Sequence, residues 1–138
     1  MDLATRAKTV EARREPSSLL AINGGSSSIR FALYEEVEPL RRRLAGKVDR
    51  IGLSGMTLTF HDSAGTPPDR RTTNADNHHS AVDFLLDWLE TEHVFASVRA
   101  VGHRVVHGMR HGEPERVTPE LLDELRRISP YDPEHMPL

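Results

Sequence analysis

The residues best suited to chemistry lie in one short turn near the start of the chain. Asn23 is followed by two glycines and three serines, and residues 19–22 and 29–34 on either side are apolar runs typical of strands. Glycine permits left-handed backbone and close approach of a ligand, and serine hydroxyls donate hydrogen bonds. A donor-rich turn between two strands, with the cation Arg30 just beyond it, predicts a phosphate-binding hairpin.

This turn is not a Walker-type loop, which has the pattern G-x-x-x-x-G-K-[ST] and leads into a helix. Here apolar residues alternate with others after the serines, which predicts a returning strand. Glycine and serine are also ordinary turn residues. A serine-rich hairpin without a ligand is therefore an equally good interpretation of this segment alone.

A second informative segment reads VRAVGHRVVHG and covers residues 98–108. Its GHRVVHG resembles one signature of the acetate kinase family, and NGGSSSIRF, which starts at Asn23, resembles the other, usually written N-x-G-S-S-S-x-K-F. The two lie in the family's order, and the resemblance covers nearly all of the chain from about Ser17 onward. It implies an α/β fold of the ribonuclease H-like, actin-like ATPase type. It also implies phosphoryl transfer between ATP and acetate with Mg²⁺.

The resemblance assigns roles to particular residues. Arg104 matches the substrate-binding arginine and is the candidate catalytic residue, because a guanidinium can hold carboxylate or phosphoryl oxygens with two parallel bonds. His107 is expected to face the cleft and contact substrate. Asn23 matches a magnesium-associated asparagine, whose amide oxygen is a suitable ligand. Phosphate and ATP binding is expected at Gly24, Gly25, Ser26, Ser28 and Arg30.

Two segments depart from the family's pattern. Arg30 stands where lysine is usual, so the charge is kept but its geometry is changed. Near the end, the family commonly has P-L-H-N-P with an active-site histidine, whereas residues 129–135 here read SPYDPEH, with Tyr131 in the histidine's place. No catalytic histidine is assigned, and the roles of Tyr131, Asp132 and His135 stay open. A propionate- or butyrate-type carboxylate kinase is the alternative.

The length of the chain limits what it can do alone. Its 138 residues suit a single domain, whereas acetate kinases have two similar domains with the active site between them. We predict a flexible tail over residues 1–17 and a partial N-terminal domain over residues 18–138, with the C-terminal domain missing. The resemblance implies a homodimer at full length. The isolated chain is expected to be inactive, and a truncated, non-catalytic domain that binds phosphate is the non-enzymatic alternative.

Composition restricts the class of protein further. Charged residues make up 28% of the chain and the formal net charge is −3, so no large basic field for nucleic acid is expected. There is no cysteine, and no apolar run approaches the roughly 20 residues that span a bilayer. These features predict a cytoplasmic protein whose partners are small molecules, acetate and ATP, with no membrane or nucleic acid.

The periodicities predict the order β-β-β-(hairpin)-α-β-α. A third strand is expected over residues 41–51, and a hairpin has arms over 56–61 and 70–73. Two helices follow, one capped by Ser80 and one capped by Thr118, with Pro119 at its first position. Residues 98–106 predict a strand covered on both faces, with His103 in the core and no metal pair formed with His107. The apolar stripe of the first helix is expected to comprise Val82, Leu85, Leu86 and Leu89, with Trp88 in the core or at a domain interface.

Overall fold

The computed structural model describes residues 16–64, 69–73, 78–105 and 108–131. These residues form a six-stranded sheet and two α-helices, together with short 3-10 turns at Val94–Ala96 and Ser129–Tyr131. The helices are α1 (His78–Thr91) and α2 (Pro119–Ile128). The strands are β1 (Ser18–Gly24), β2 (Ile29–Glu35), β3 (Arg41–Asp49), β4 (Met56–Asp62), β5 (Asp69–Thr73) and β6 (Val98–Arg104).

The sheet is mixed, with the strand order β5-β4-β3-β2-β1-β6. The first five strands form an antiparallel meander, while β6 lies parallel to β1 at the other edge. Short turns can join antiparallel neighbours, but a parallel pair needs a long crossover. The chain between β5 and β6 supplies that crossover and contains α1. This arrangement confirms the predicted element order.

The core lies between one face of the sheet and α1. Trp88 of α1 packs against Phe31 and Phe60, with ring centroids 5.5 Å and 4.4 Å away. Between those two phenylalanines, on β3, lies Gly46, where a Cβ atom would come within 2.6 Å of the Phe31 ring and 2.9 Å of Phe60 Cβ. The missing side chain of Gly46 therefore makes room for the aromatic cluster. The apolar strand residues buried on this face are Leu20, Ile29, Phe31, Leu33, Val48, Met56 and Leu58.

The predicted apolar stripe of α1 is partly wrong. Leu85 and Leu89 are buried, but Val82 and Leu86 are 41% and 39% exposed. The buried face instead contains Ala81, Leu85, Trp88 and Leu89. The large Trp88 side chain turns towards the phenylalanines of the sheet, and this rotates the buried face relative to the predicted one. The helix also begins at His78, two residues before Ser80, so Ser80 is not its cap.

The second helix follows its prediction closely. Thr118 is extended and its side-chain oxygen accepts a hydrogen bond from the Leu121 N–H at 3.1 Å, which satisfies one of the free donors of the first turn. Pro119 occupies the first turn, where its missing N–H costs no hydrogen bond. The helix ends at Ile128.

The strand β6 differs from its prediction in length and burial. It ends at Arg104, and only Val98 is half-buried, while the six residues after it are exposed. The physical reason is its place at the sheet edge, because among the core residues of the described chain only Val98 comes from β6. His103 is exposed as well, which contradicts its predicted place in the core. Beyond Val98, the residues of β6 are therefore exposed instead of covered on both faces.

We predict that Gly46→Ala lowers the free energy of unfolding by about 1–3 kcal/mol, the usual cost of overpacking. The new Cβ atom would lie 2.5 Å from the Thr59 carbonyl oxygen, a backbone atom that cannot move without disturbing the strand pairing. Gly24→Ala is the matched control, since no atom lies within 4 Å of its Cβ position. Urea midpoints measure both variants, and equal midpoints would contradict this account of Gly46.

Candidate functional site

The serine turn joins β1 to β2 and is fixed by two backbone hydrogen bonds. The Gly25 N–H donates to the Ser28 carbonyl at 2.7 Å and closes the turn. The Ser27 carbonyl accepts from the Ile51 N–H at 3.0 Å, which attaches the turn to the chain just after β3. Three strands of the sheet therefore hold this turn in place.

The glycines of the turn do not have the left-handed backbone conformation that the sequence analysis allowed for them. Neither Gly24 nor Gly25 has a positive φ angle. A Cβ atom at Gly25 would lie 3.1 Å from the Ser28 hydroxyl oxygen, whereas the position at Gly24 is open. Gly25 therefore leaves space for the hydroxyl of Ser28. The strand pattern also does not continue through the serines, since Ser26 is exposed in a bend and Ser28 is half-buried just before β2.

The strand register brings together three of the residues predicted for the site. Asn23 on β1 pairs with Arg30 on β2 and with Arg104 on β6. Residues paired across neighbouring strands point to the same face of a sheet, and this face is the one opposite α1. At the usual strand spacing, the Cα atoms of Arg30 and Arg104 lie about 10 Å apart, with Asn23 between them.

The charges of this row favour an anion. Arg30 and Arg104 are exposed, and neither makes a hydrogen bond or an ion pair with the described residues. Two guanidinium groups flank a half-buried amide, which can both donate and accept hydrogen bonds. Arginine binds carboxylate and phosphate oxygens through parallel hydrogen bonds. The row is therefore suited to a ligand that carries such groups.

The same row continues across the rest of the sheet. Arg30 pairs with Lys47, Lys47 with Thr59, and Thr59 with Arg70, so all six strands contribute one residue. Lys47 could not be predicted as part of the site from the sequence, because its place opposite Arg30 depends on the β2–β3 register. The only sequence signal was its position in a predicted strand that follows the hairpin.

Other predicted site residues are not placed in the row. His107 lies outside the described residues, as do Asp132 and His135, and the side chain of Tyr131 is likewise not described. Arg104 and His103 are consecutive in β6, so they point to opposite faces. A cavity of about 400 Å³ lies on the other side of the sheet, lined in part by Leu33, Phe60 and Trp88, and is separate from the row.

Within the ranges that the structure describes, no three His, Asp or Glu side chains form a group able to hold a metal ion. Asn23 alone offers one amide oxygen between two arginines. A bare divalent cation would be repelled by those charges. A complex of Mg²⁺ with phosphate groups and water would instead carry a net negative charge, which suits this position.

A second polar cluster follows β6 and connects to α2. His111 Nδ1 lies 2.7 Å from Glu115 Oε1, and its Nε2 lies 3.1 Å from Glu124 Oε2 without the geometry of a hydrogen bond. Arg110 pairs with Glu124 at 2.7 Å. The hydrogen bond to Glu115 and the nearby Glu124 raise the pKa of His111. Burial acts to raise the pKa of Glu124, but His111 and Arg110 outweigh it and lower that pKa.

The six-stranded mixed sheet belongs to a domain of the actin-like ATPase type. Solved structures of the same fold include acetate kinase from Porphyromonas gingivalis, with 29% identity and a TM-score of 0.75 over 88% of this chain and 31% of that one. A propionate kinase from Francisella tularensis shares the fold at 23% identity and a TM-score of 0.74, over 88% of this chain and 31% of that one. No helix in the described part of the chain is long and apolar enough to cross a membrane.

The sequence comparisons identify the family. The model of the acetokinase family matches residues 18–138, and the chain belongs to this family. An acetate kinase from Streptomyces griseus is 36% identical over 130 residues, which cover 89% of this chain and 31% of that protein. An acetate kinase from Deinococcus radiodurans is 37% identical over 119 residues, covering 86% and 29%. The chain therefore spans about 30% of the length of the curated relatives it matches.

We predict that the cluster around His111 makes stability depend on pH. Because the folded pKa of His111 is raised, its contribution is complete below the unfolded value of about 6.5 and is lost as pH rises through the folded pKa. Because the folded pKa of Glu124 is lowered, its contribution is present above its unfolded value and is lost as pH falls through the folded pKa. Stabilisation by the pair is therefore greatest between about pH 4.5 and 6.5.

Urea midpoints at pH 6 and pH 8.5 measure this effect. His111→Gln should reduce the fall in stability between these two pH values, while His61→Gln, an exposed histidine on β4, should leave it unchanged. If the stability of His111→Gln and of the unchanged chain depended on pH in the same way, the cluster would contribute nothing to that dependence.

Proposed function

We propose that the protein to which this chain belongs is an acetate kinase, which transfers a phosphoryl group between ATP and acetate to give acetyl phosphate and ADP. The observation that carries the proposal is the row formed by Arg30, Asn23 and Arg104 beside the serine turn. Arg30 and Arg104, which make no hydrogen bond or ion pair with the described residues, match the two anionic reactants. Membership of the acetokinase family supports the same reaction.

The geometry suggests how the reactants are divided between these groups. The serine hydroxyls of the turn, with Arg30 next to them, bind phosphate oxygens of ATP. Arg104, on the other side of Asn23, holds the acetate carboxylate and the transferring phosphoryl group through its planar guanidinium. An acetate oxygen attacks the γ-phosphorus, a new O–P bond forms, and the bond to the β-phosphate oxygen breaks as ADP leaves.

This reaction depends mainly on positioning and charge neutralisation, since the phosphoryl oxygens carry most of the charge in the transition state. The Cα atoms of Arg30 and Arg104 lie about 10 Å apart, and this distance leaves room for the two reactants to lie side by side. Arg30 in place of lysine keeps the charge at the phosphate position and adds two further donor nitrogens.

Asn23 is the residue of this chain that would hold Mg²⁺, together with phosphate oxygens and water. The metal would neutralise charge on the phosphates when it is bound. His107 remains a proposed substrate contact. We also propose a cytoplasmic location, because ATP is a cytoplasmic metabolite.

The row alone is an open sheet face, so it cannot exclude water or hold two reactants in line, and positioning is where much of the catalysis originates. A C-terminal domain that closes the other side of the site and a homodimeric assembly are parts of this proposal. The altered segment at residues 129–135 favours a second candidate, a kinase for propionate or butyrate. Comparing kcat/KM for the three carboxylates distinguishes the two.

We predict that the 138-residue chain alone does not release ADP from ATP in an acetate-dependent way. The same chain extended to the length of its relatives should do so, because the second half of the cleft is then present. A coupled assay for ADP measures both proteins. Acetate-dependent turnover by the short chain would contradict the requirement for a second domain, and no turnover by the extended chain would contradict the proposed function.

We predict that Arg104→Lys in the extended protein lowers kcat/KM for acetate by at least about tenfold, equivalent to roughly 1.4 kcal/mol of transition-state stabilisation. Lysine keeps the charge but loses the paired hydrogen bonds. Arg99→Lys is the matched control, since Arg99 is also exposed on β6 but pairs with Glu36 at 3.0 Å, outside the row. An unchanged kcat/KM for Arg104→Lys would refute the assigned role.

A further inference from the structure

The row next to the serine turn contains a cation to which the proposed reaction assigns no role. Lys47 lies directly opposite Arg30 across the β2–β3 pair. Like charges in directly opposed positions destabilise a sheet, so two cations at this place call for an explanation.

An acidic residue of the same strand compensates Lys47. The Nζ atom of Lys47 lies 2.9 Å from Oδ2 of Asp49, and the two side chains are 42% and 40% exposed. The other carboxylate oxygen accepts a hydrogen bond from the Arg50 N–H at 3.0 Å. Residues two apart in a strand point to the same face, so the pair lies on the face of the row.

Asp49 is also electrostatically linked to Arg30. The hydrogen bond from Lys47, the hydrogen bond from the Arg50 N–H and the charges of Lys47 and Arg30 lower the pKa of Asp49, although burial acts in the opposite direction. Its carboxylate therefore stays ionised at neutral pH and faces two cations, one of which belongs to the proposed phosphate site.

The pair also lies beside the serine turn. Val48 is the register partner of Ile29, so Asp49 continues β3 next to the position of Ser28. Ile51, two residues further along, donates its N–H to the Ser27 carbonyl at 3.0 Å. The end of β3 and the turn are consequently held together, and a polyphosphate on the turn would come within reach of Lys47.

We propose that Lys47 is an additional phosphate-binding cation and that Asp49 is its counterion when no phosphate is bound. This inference rests on the proposed function of the row. A phosphate group competes with Asp49 for Lys47. The exposure of both side chains allows this exchange, because a solvent-exposed ion pair is weak.

Binding of inorganic tripolyphosphate to the 138-residue chain, measured by titration calorimetry in low salt, tests the proposal. Lys47→Gln should weaken binding about fivefold, and Lys47→Arg should restore most of the loss. Asp49→Asn should strengthen binding about threefold, the size expected for removing one exposed ion pair. A purely structural role for the pair predicts no gain of affinity in Asp49→Asn. Circular dichroism confirms the fold of each variant.

The pair formed by Arg71 and Glu92, 3.4 Å apart, supplies the controls for net charge. Arg71 is the register partner of Leu58, so it points to the face that carries the core. Arg71→Gln and Glu92→Gln change the charge by the same amounts as the test variants and should leave binding within about twofold, because screened surface charges at a distance contribute little.

A separate variant distinguishes failure of this inference from failure of the proposed function. If Arg30→Gln weakens binding while Lys47→Gln and Asp49→Asn do not change it, the phosphate site stands and the role of Lys47 is wrong. If Arg30→Gln and Lys47→Gln both bind normally, or if neither the unchanged chain nor the protein extended to the length of its relatives binds tripolyphosphate, the phosphate site itself is wrong. Should Lys47→Gln not fold, unchanged or weaker binding by folded Asp49→Asn overturns the proposal.

Discussion

The position of β1 between β2 and β6 is the constraint on which the candidate site depends. Its backbone hydrogen bonds fix an antiparallel register on one side and a parallel register on the other, and both registers meet at Asn23. A slip of one residue in either pair would turn a whole set of side chains to the opposite face. Arg30 or Arg104 would then point towards the side that carries the core, and the row would lose one of its cations.

The core on the helix side stabilises that register. Ile29 and Phe31 alternate with Arg30 along β2, so burying the first two exposes the third on the opposite face. The packing of Trp88 against Phe31 and Phe60 depends in turn on the absence of a side chain at Gly46. Residues that contact no ligand thus determine which face carries the charges, and the site is a consequence of how the opposite face packs.

Much of this arrangement could be predicted from the sequence, because it depends on local patterns. Alternation over residues 29–34 predicted β2, and the Thr118–Pro119 pair predicted the start of α2. The buried face of α1 could not be predicted in the same way, because the sequence allows either Val82 or Trp88 to face the core. Trp88 is the buried one because it packs against Phe31 and Phe60. Lys47 was missed because its neighbour, Arg30, is fixed by pairing between strands rather than by spacing along the chain.

The parallel pairing of β1 with β6 has a consequence for folding kinetics. The strands β1 to β5 are joined by short connections, whereas Asn23 pairs with Arg104 only when a loop of about 80 intervening residues closes. Closing such a long loop has a larger entropic cost than closing a hairpin, and contacts distant in sequence slow the folding of a domain. We therefore expect Arg30 and Asn23 to align before Arg104 joins them. On this expectation, the charged row is completed only when the crossover between β5 and β6 closes.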